Sequence, residues 1–130
     1  MAVELKPTEA LELWRGALVE SVRRAGPDLS ARQMAVVLTV YMTAPPHTVR
    51  GLAKLLNVSK PAITRALDRL SALGYLRRKP DDADRRSILV QRTVKGSVFL
   101  REFAEIIVAL ALKLRDPAAS PASAAPSAER

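Results

Sequence analysis

The stretch TVRGLAKLLNVSKPAITRALDRL, running from Thr48 to Leu70, decides how the chain is read. It describes two helices joined by a tight turn. Thr48 caps the first, with Leu52, Leu55 and Leu56 expected on its inner face. Asn57-Val58 makes the turn. Ser59 caps the second helix, and Pro61 falls in its first turn, where no intrahelical donor is lost. Ile63, Ala66, Leu67, Leu70 and Leu73 then recur at helical spacing and face a core. Gly74 ends the helix in the left-handed conformation that glycine favours. A short helix, a tight turn and a second helix make a helix-turn-helix unit.

The opposite face of the helix from Ser59 carries Lys60, Pro61, Thr64, Arg65, Asp68 and Arg69. A hydroxyl, a guanidinium and a small apolar group are the types that meet thymine methyls, guanine edges and phosphates in a major groove. The helix N-terminus adds a favourable site for a phosphate oxygen. Thr48 and Arg50, at the start of the preceding helix, join this candidate DNA-binding set together with Ser59. The competing reading is a merely solvated basic face, and the charge distribution by itself leaves the two about even. Residues 50–95 hold twelve Lys/Arg against four Asp/Glu, so the whole net charge of +8 sits in that segment. Such confinement suits a polyanion-binding surface.

Two strand-like runs follow, Tyr75 to Lys79 and Ser87 to Arg92, joined by a polar loop. Arg85 and Arg86 near its tip suit a narrow, electronegative minor groove. Asp81, Asp82 and Asp84 lack the Gly turn and distal Glu of a calcium loop. These carboxylates, Asp84 among them, are expected to fix a neighbouring Arg and to shape the loop. Asp68 is expected to pair with Arg86 or Arg78 and to lock this hairpin to the helix from Ser59.

Working outward, Ser30 and Gln33 form a capping box, with Leu29 and Met34 placed as a hydrophobic staple, for a helix running to Thr43. Met34, Val37, Leu38 and Tyr41 share one face, and Val36 and Val40 add a second. Upstream, Thr8 is expected to cap an amphipathic helix to Ala25, with Leu11, Trp14, Leu18 and Val22 on one face. Trp14 reads as packing rather than as a ligand-pocket wall. Downstream, Thr93 caps a helix to about Arg115 with two apolar stripes. Phe99, Phe103, Ile106, Ile107, Leu110 and Leu114 form one; Leu100, Ala104, Val108 and Leu112 form the other. A helix apolar on two faces asks for a partner. The expectation is a homodimer through Leu11, Trp14 and Leu18 with Phe103, Ile107, Leu110 and Leu114. Residues 117–130, rich in Ala, Pro and Ser, read as a disordered tail.

Composition removes several classes. The chain has 130 residues, no Cys and one His, which excludes disulfides, thiolate chemistry and a His-based metal cluster. His47, in a Pro-rich loop, is expected to be solvent-exposed. Glu9, Glu12, Glu102 and Glu105 read as solvated helix charges. No nucleophile stands with a base and no Gly-rich phosphate loop is visible, so neither an enzyme nor a cofactor is expected. The N-terminus lacks a signal peptide's charged and apolar regions, and no apolar run spans a membrane, so a cytoplasmic protein is expected.

The stretch from Thr48 to Leu70 resembles the MarR family of bacterial transcription regulators. So do Leu29-Ser30-Ala31-Arg32-Gln33, the run Gly74-Tyr75-Leu76-Arg77-Arg78, the loop Asp81 to Arg86, and Thr93-Val94-Lys95-Gly96. The likeness covers roughly residues 8–115. It implies a mainly α fold with a small β-hairpin wing, a winged helix-turn-helix over 1–116 with its DNA-binding core at 48–92. It implies a homodimer built from the N- and C-terminal helices, the helix from Ser59 in the major groove, and Arg85 or Arg86 in the minor groove. Many relatives also take a small apolar or phenolic effector that releases DNA. The family usually has two helices after the wing where this chain has room for one, and often Pro where Asp82 stands. The expected function is a repressor-type regulator that binds duplex DNA at a near-palindromic operator. The alternative is an interaction module that binds a protein partner, or DNA without sequence preference.

Overall fold

A computed structural model describes residues 4–115, so the tail expected over 117–130 lies outside the described residues. Within them the order is α1 (Pro7–Arg23), α2 (Ala31–Met42), α3 (Val49–Leu56), α4 (Lys60–Ala72), β1 (Leu76–Pro80), β2 (Ile88–Arg92) and α5 (Val94–Arg115). The chain divides into two compact units. One runs from Leu29 to Arg101; the other takes α1 and the chain from Glu102 onward.

In the Leu29–Arg101 unit, short polar side chains set the helix starts. Ser30 Oγ accepts the Gln33 N–H at 3.1 Å while Gln33 Oε1 accepts the Ser30 N–H at 2.9 Å, which completes the capping box. Thr48 Oγ1 accepts from Gly51 and Ser59 Oγ from Ala62. Asn57, with φ 57°, closes α3 in the left-handed region, and its N–H reaches the Ala53 and Lys54 carbonyls. That turn redirects the chain from α3 into α4. Gly74, at φ +81°, does the same for the step from α4 to the hairpin.

The core gathers Val36, Val37 and Val40 of α2, Leu52 of α3, Ile63, Leu67 and Leu70 of α4, and Leu76 and Val90 of the hairpin. Each such side chain contributes about 1.5–3 kcal/mol on burial. Leu29 and Met34, the expected staple, are partly buried against this cluster. Leu55 is a correction: it is expected inside but is 64% exposed, and Ala53 is buried in its stead.

The strands pair antiparallel from Leu76↔Arg92 to Pro80↔Ile88. Tyr75 and Ser87, expected to start the strands, lie just outside them. Tyr75 is buried and stacks on Phe99 with ring centroids 4.3 Å apart. On its other edge β2 meets the chain before α3. The Val90 N–H donates to the His47 carbonyl at 2.8 Å, and Thr48 bridges Leu89.

In the other unit, α1 starts one residue before the expected Thr8. Pro7 takes the first helical position and the Glu9 carboxylate accepts the Lys6 N–H at 3.0 Å. Glu12 is bonded to Arg15, whose guanidinium holds the carboxyl below its ordinary range. Ala17 is buried, and Gly16 faces the Leu110 side chain closely. Leu11, Trp14, Leu18 and Val22 are all exposed, Leu11 at 68% and Trp14 at 52%. Of the two stripes on α5, the first is inward, with Phe103 and Ile106 buried. Ala104, Val108 and Leu112 of the second are exposed. Among the described residues no helix is long and apolar enough to cross a membrane.

Candidate nucleic-acid interface

The two faces of α4 separate completely. Ala62, Ile63, Ala66, Leu67 and Leu70 are buried, while Lys60, Pro61, Thr64, Arg65, Asp68 and Arg69 are exposed. The inner face anchors the helix so that the outer one is presented on a rigid element. Ser59 Oγ accepts the Ala62 N–H in the cap, which leaves its O–H hydrogen to donate outward. Thr48 Oγ1 accepts in the same way as cap of α3, and Arg50 two residues on is exposed.

Asp68 is the one carboxylate on that outer face. Its Oδ1 lies 2.9 Å from Arg78 Nη2, so its partner is on β1. Arg86, the other partner considered from sequence, is 94% exposed in its side chain and pairs only loosely with Asp84 at 3.9 Å. The Asp68–Arg78 pair ties the outer face of α4 to the first strand of the wing. Asp68 is 62% exposed and Arg78 32%, so as a surface pair it is worth only about 0.2–1 kcal/mol of stability. Its consequence is geometric.

The loop from Asp81 to Ser87 folds on itself. The Asp81 N–H donates to the Ser87 carbonyl, the Asp84 N–H to the Asp81 carbonyl, and the Ser87 N–H to the Asp84 carbonyl. Asp81 Oδ1 accepts the Ala83 N–H at 2.9 Å and Asp84 Oδ1 the Arg86 N–H at 3.1 Å. The expectation that Asp84 fixes an arginine rotamer is therefore corrected. At 3.9 Å the guanidinium is beyond hydrogen-bond reach, and what remains of the expected role is the shaping of the loop backbone. Arg85 and Arg86 project exposed from that shaped turn.

His47 also departs from expectation. It is half-buried, with Nε2 3.1 Å from the Thr43 carbonyl. Residues that sequence reasoning did not single out hold the root of the wing. Arg92 donates from Nε to the Val40 carbonyl and from Nη2 to the Thr43 carbonyl, both at 2.9 Å, so it satisfies the open end of α2. The Tyr41 hydroxyl meets both Tyr75 and Thr93. Nothing in the spacing of these residues marks them as partners.

Comparison with known proteins bears on the family and the fold. The model of the MarR family matches residues 27–87. Over 79 residues the chain is 32% identical to the HTH-type transcriptional regulator PecS of Dickeya dadantii (strain 3937), covering 59% of this chain and 48% of that one. The chain spans about half the length of the curated relatives it matches. Among solved structures, the transcriptional regulator Tm0710 of Thermotoga maritima superposes with a TM-score of 0.68 at 25% identity, covering 89% of this chain and 76% of that one. A cysteine-to-serine mutant of MarR from E. coli, solved with operator DNA, gives 0.60 at 27% identity over 77% of this chain and 66% of its own.

Proposed function

This chain belongs to the MarR family of winged helix-turn-helix regulators, and we propose that it binds duplex DNA as a sequence-specific transcription regulator of the repressor type. The observation that carries the reading is the outer face of α4, where Lys60, Thr64, Arg65 and Arg69 stand exposed beside an arginine-tipped wing. In this reading α4 lies in the major groove, and Arg85 or Arg86 enters the adjacent minor groove. Thr48, Arg50 and the α4 N-terminus at Ser59 meet phosphates. Selection of bound duplexes from a random pool tests it. An enriched, near-palindromic motif is the expected result. Binding without enrichment would replace the reading with non-specific association, and no binding would favour a protein-interaction module.

A homodimer belongs to the same proposal. Leu11, Trp14 and Leu18 are exposed on α1 and Ile107, Leu110 and Leu114 are half-buried on α5, so a second copy has apolar surface to cover. Phe103 is already buried in the single chain and adds little. Two-fold symmetry would then place half-sites about one helical turn apart. Sedimentation at micromolar concentration should show a dimer, and Trp14→Glu should shift it toward monomer. A stable monomer from the unaltered chain would refute this part.

Asp68→Asn should weaken DNA binding even though it removes a negative charge from a DNA-facing helix. The substitution frees Arg78 and loosens wing from helix. The effect should be several-fold in Kd, with little change in the unfolding midpoint, because the pair is largely exposed. Tighter binding by Asp68→Asn would mean that the carboxylate merely repels phosphate.

A further inference from the structure

Both ends of the wing hairpin converge on one phenol. Tyr75 immediately precedes β1 and Thr93 immediately follows β2. The Tyr41 hydroxyl lies 2.8 Å from the Tyr75 carbonyl and 3.0 Å from the Thr93 carbonyl, and it accepts the Thr93 N–H at 2.8 Å. A phenol has one hydrogen to donate, so the two carbonyls share it. Thr93 is held a second way: its hydroxyl donates to the Gly74 carbonyl at 2.6 Å and accepts the Gly96 N–H at 3.0 Å. The Tyr41 ring is in turn backed by Arg92, whose guanidinium carbon sits 5.9 Å from the ring centroid while its nitrogens are bonded to α2 carbonyls.

From this geometry we infer that Tyr41, backed by Arg92, is a positioning residue that sets the angle at which the wing leaves the helical core. The inference rests on the DNA-binding reading given above, and it names the residue on which the minor-groove part of that reading depends. Leverage is the reason. Each strand has five residues, so the arginine-bearing tip stands about 17 Å from the root. A tilt of about 10° at the root then moves the tip by about 3 Å, far more than the few tenths of an ångström a guanidinium hydrogen bond tolerates. A two-stranded hairpin has little stiffness of its own, so its aim must come from what holds it. The Asp68–Arg78 pair and the His47–Val90 hydrogen bond each restrain one strand, whereas Tyr41 joins the two ends.

Tyr41→Phe removes the hydroxyl and keeps the ring. In the DNA-free protein, amide hydrogen exchange should quicken at Thr93 and along β1 and β2, while Leu67 and Leu70 of α4 keep their protection. With DNA, two duplexes sharing one core half-site but flanked by A·T-rich or G·C-rich sequence separate wing reading from helix reading. The unaltered protein should prefer the A·T-rich flank several-fold. Tyr41→Phe should bring that preference close to one and leave discrimination at the core position intact. Adding Arg85→Ala to Tyr41→Phe should then change the flank preference no further. Unchanged exchange in the wing, an equal loss of core and flank discrimination, or independent effects of the two substitutions would each overturn the inference. If Tyr41→Phe does not fold, Arg92→Lys takes its place, because a single ammonium nitrogen lacks the planar guanidinium's two spaced nitrogens, one for each carbonyl. If the unaltered protein binds no duplex, the DNA reading fails by itself, and the exchange measurement alone decides whether Tyr41 restrains the wing.

Discussion

Gly96→Ala should cost about 3 kcal/mol of folding stability or more, the upper end of what overpacking a filled site usually costs. A methyl group at this position would overlap the Tyr41 hydroxyl and the Tyr75 carbonyl oxygen. A flexible side chain could swing away. The Tyr75 carbonyl is backbone at the foot of β1, and the Tyr41 hydroxyl is committed to Tyr75 and Thr93. Relief therefore requires the first turn of α5 to move off the hairpin root, which breaks the hydrogen bonds gathered there. Gly26→Ala is the matched control, because nothing lies within 4 Å of the added methyl. Its effect should stay within about 1 kcal/mol of neutral, with a small gain from a stiffer unfolded chain. Urea unfolding of both variants, compared at equal slope, decides the matter. Equal midpoints would mean that α5 has room to retreat at no cost.

The position of Gly96 illustrates which parts of the fold the sequence discloses. Helix starts at Ser30, Thr48 and Ser59 are legible because a cap and the N–H it accepts are three residues apart, so the signal is local. The left-handed residues Asn57 and Gly74 fall where turn chemistry places them. Periodicity misplaces Leu55 because α3 has only eight residues, and a short apolar run does not fix which leucine faces inward. The start of α1 is misplaced for a related reason. A Thr suggests a cap, but Pro7 at the first helical position and the Glu9 side chain set the end instead.

The candidate interface divides in the same way. The outer face of α4 follows from helical period alone, since fixing Ile63, Leu67 and Leu70 inward leaves Thr64, Arg65 and Asp68 outward. Asp68 plainly needs a basic partner, yet sequence cannot choose between Arg78 and Arg86, because the choice depends on where β1 passes α4. For Asp84 the sequence indicates the right neighbour and the wrong atom: a carboxylate two residues upstream reaches the backbone N–H more readily than a long side chain's end. Tyr41 and Arg92 escape notice as partners altogether. The groups they bond lie 34 to 52 residues away, and each alone looks like ordinary core or surface.

Arg65→Ala should lose affinity mainly for the preferred duplex and relax the sequence at one position in each half-site. Arg65 stands exposed on the outer face of α4, opposite the buried Ile63 and Leu67. A guanidinium there suits a guanine edge through two parallel hydrogen bonds, an interaction worth about 1–3 kcal/mol of discrimination against a wrong base. Arg69 lies four residues on, about 6 Å further along the axis, where a straight helix leaves a groove that curves away. It should meet phosphate. Arg69→Ala should therefore weaken all duplexes alike and make the salt dependence shallower by about one counterion per bound arginine. Arg85→Ala should lose most where the flanking minor groove is narrow and A·T-rich. Titration of the three variants against cognate, half-site-altered and random duplexes at several salt concentrations separates these roles, because each predicts a different pattern rather than a different size of loss. An equal loss on all three duplexes for Arg65→Ala would move that residue to the phosphate-holding set. The base-reading role would then pass to Thr64 and Lys60, the exposed polar side chains nearer the start of α4.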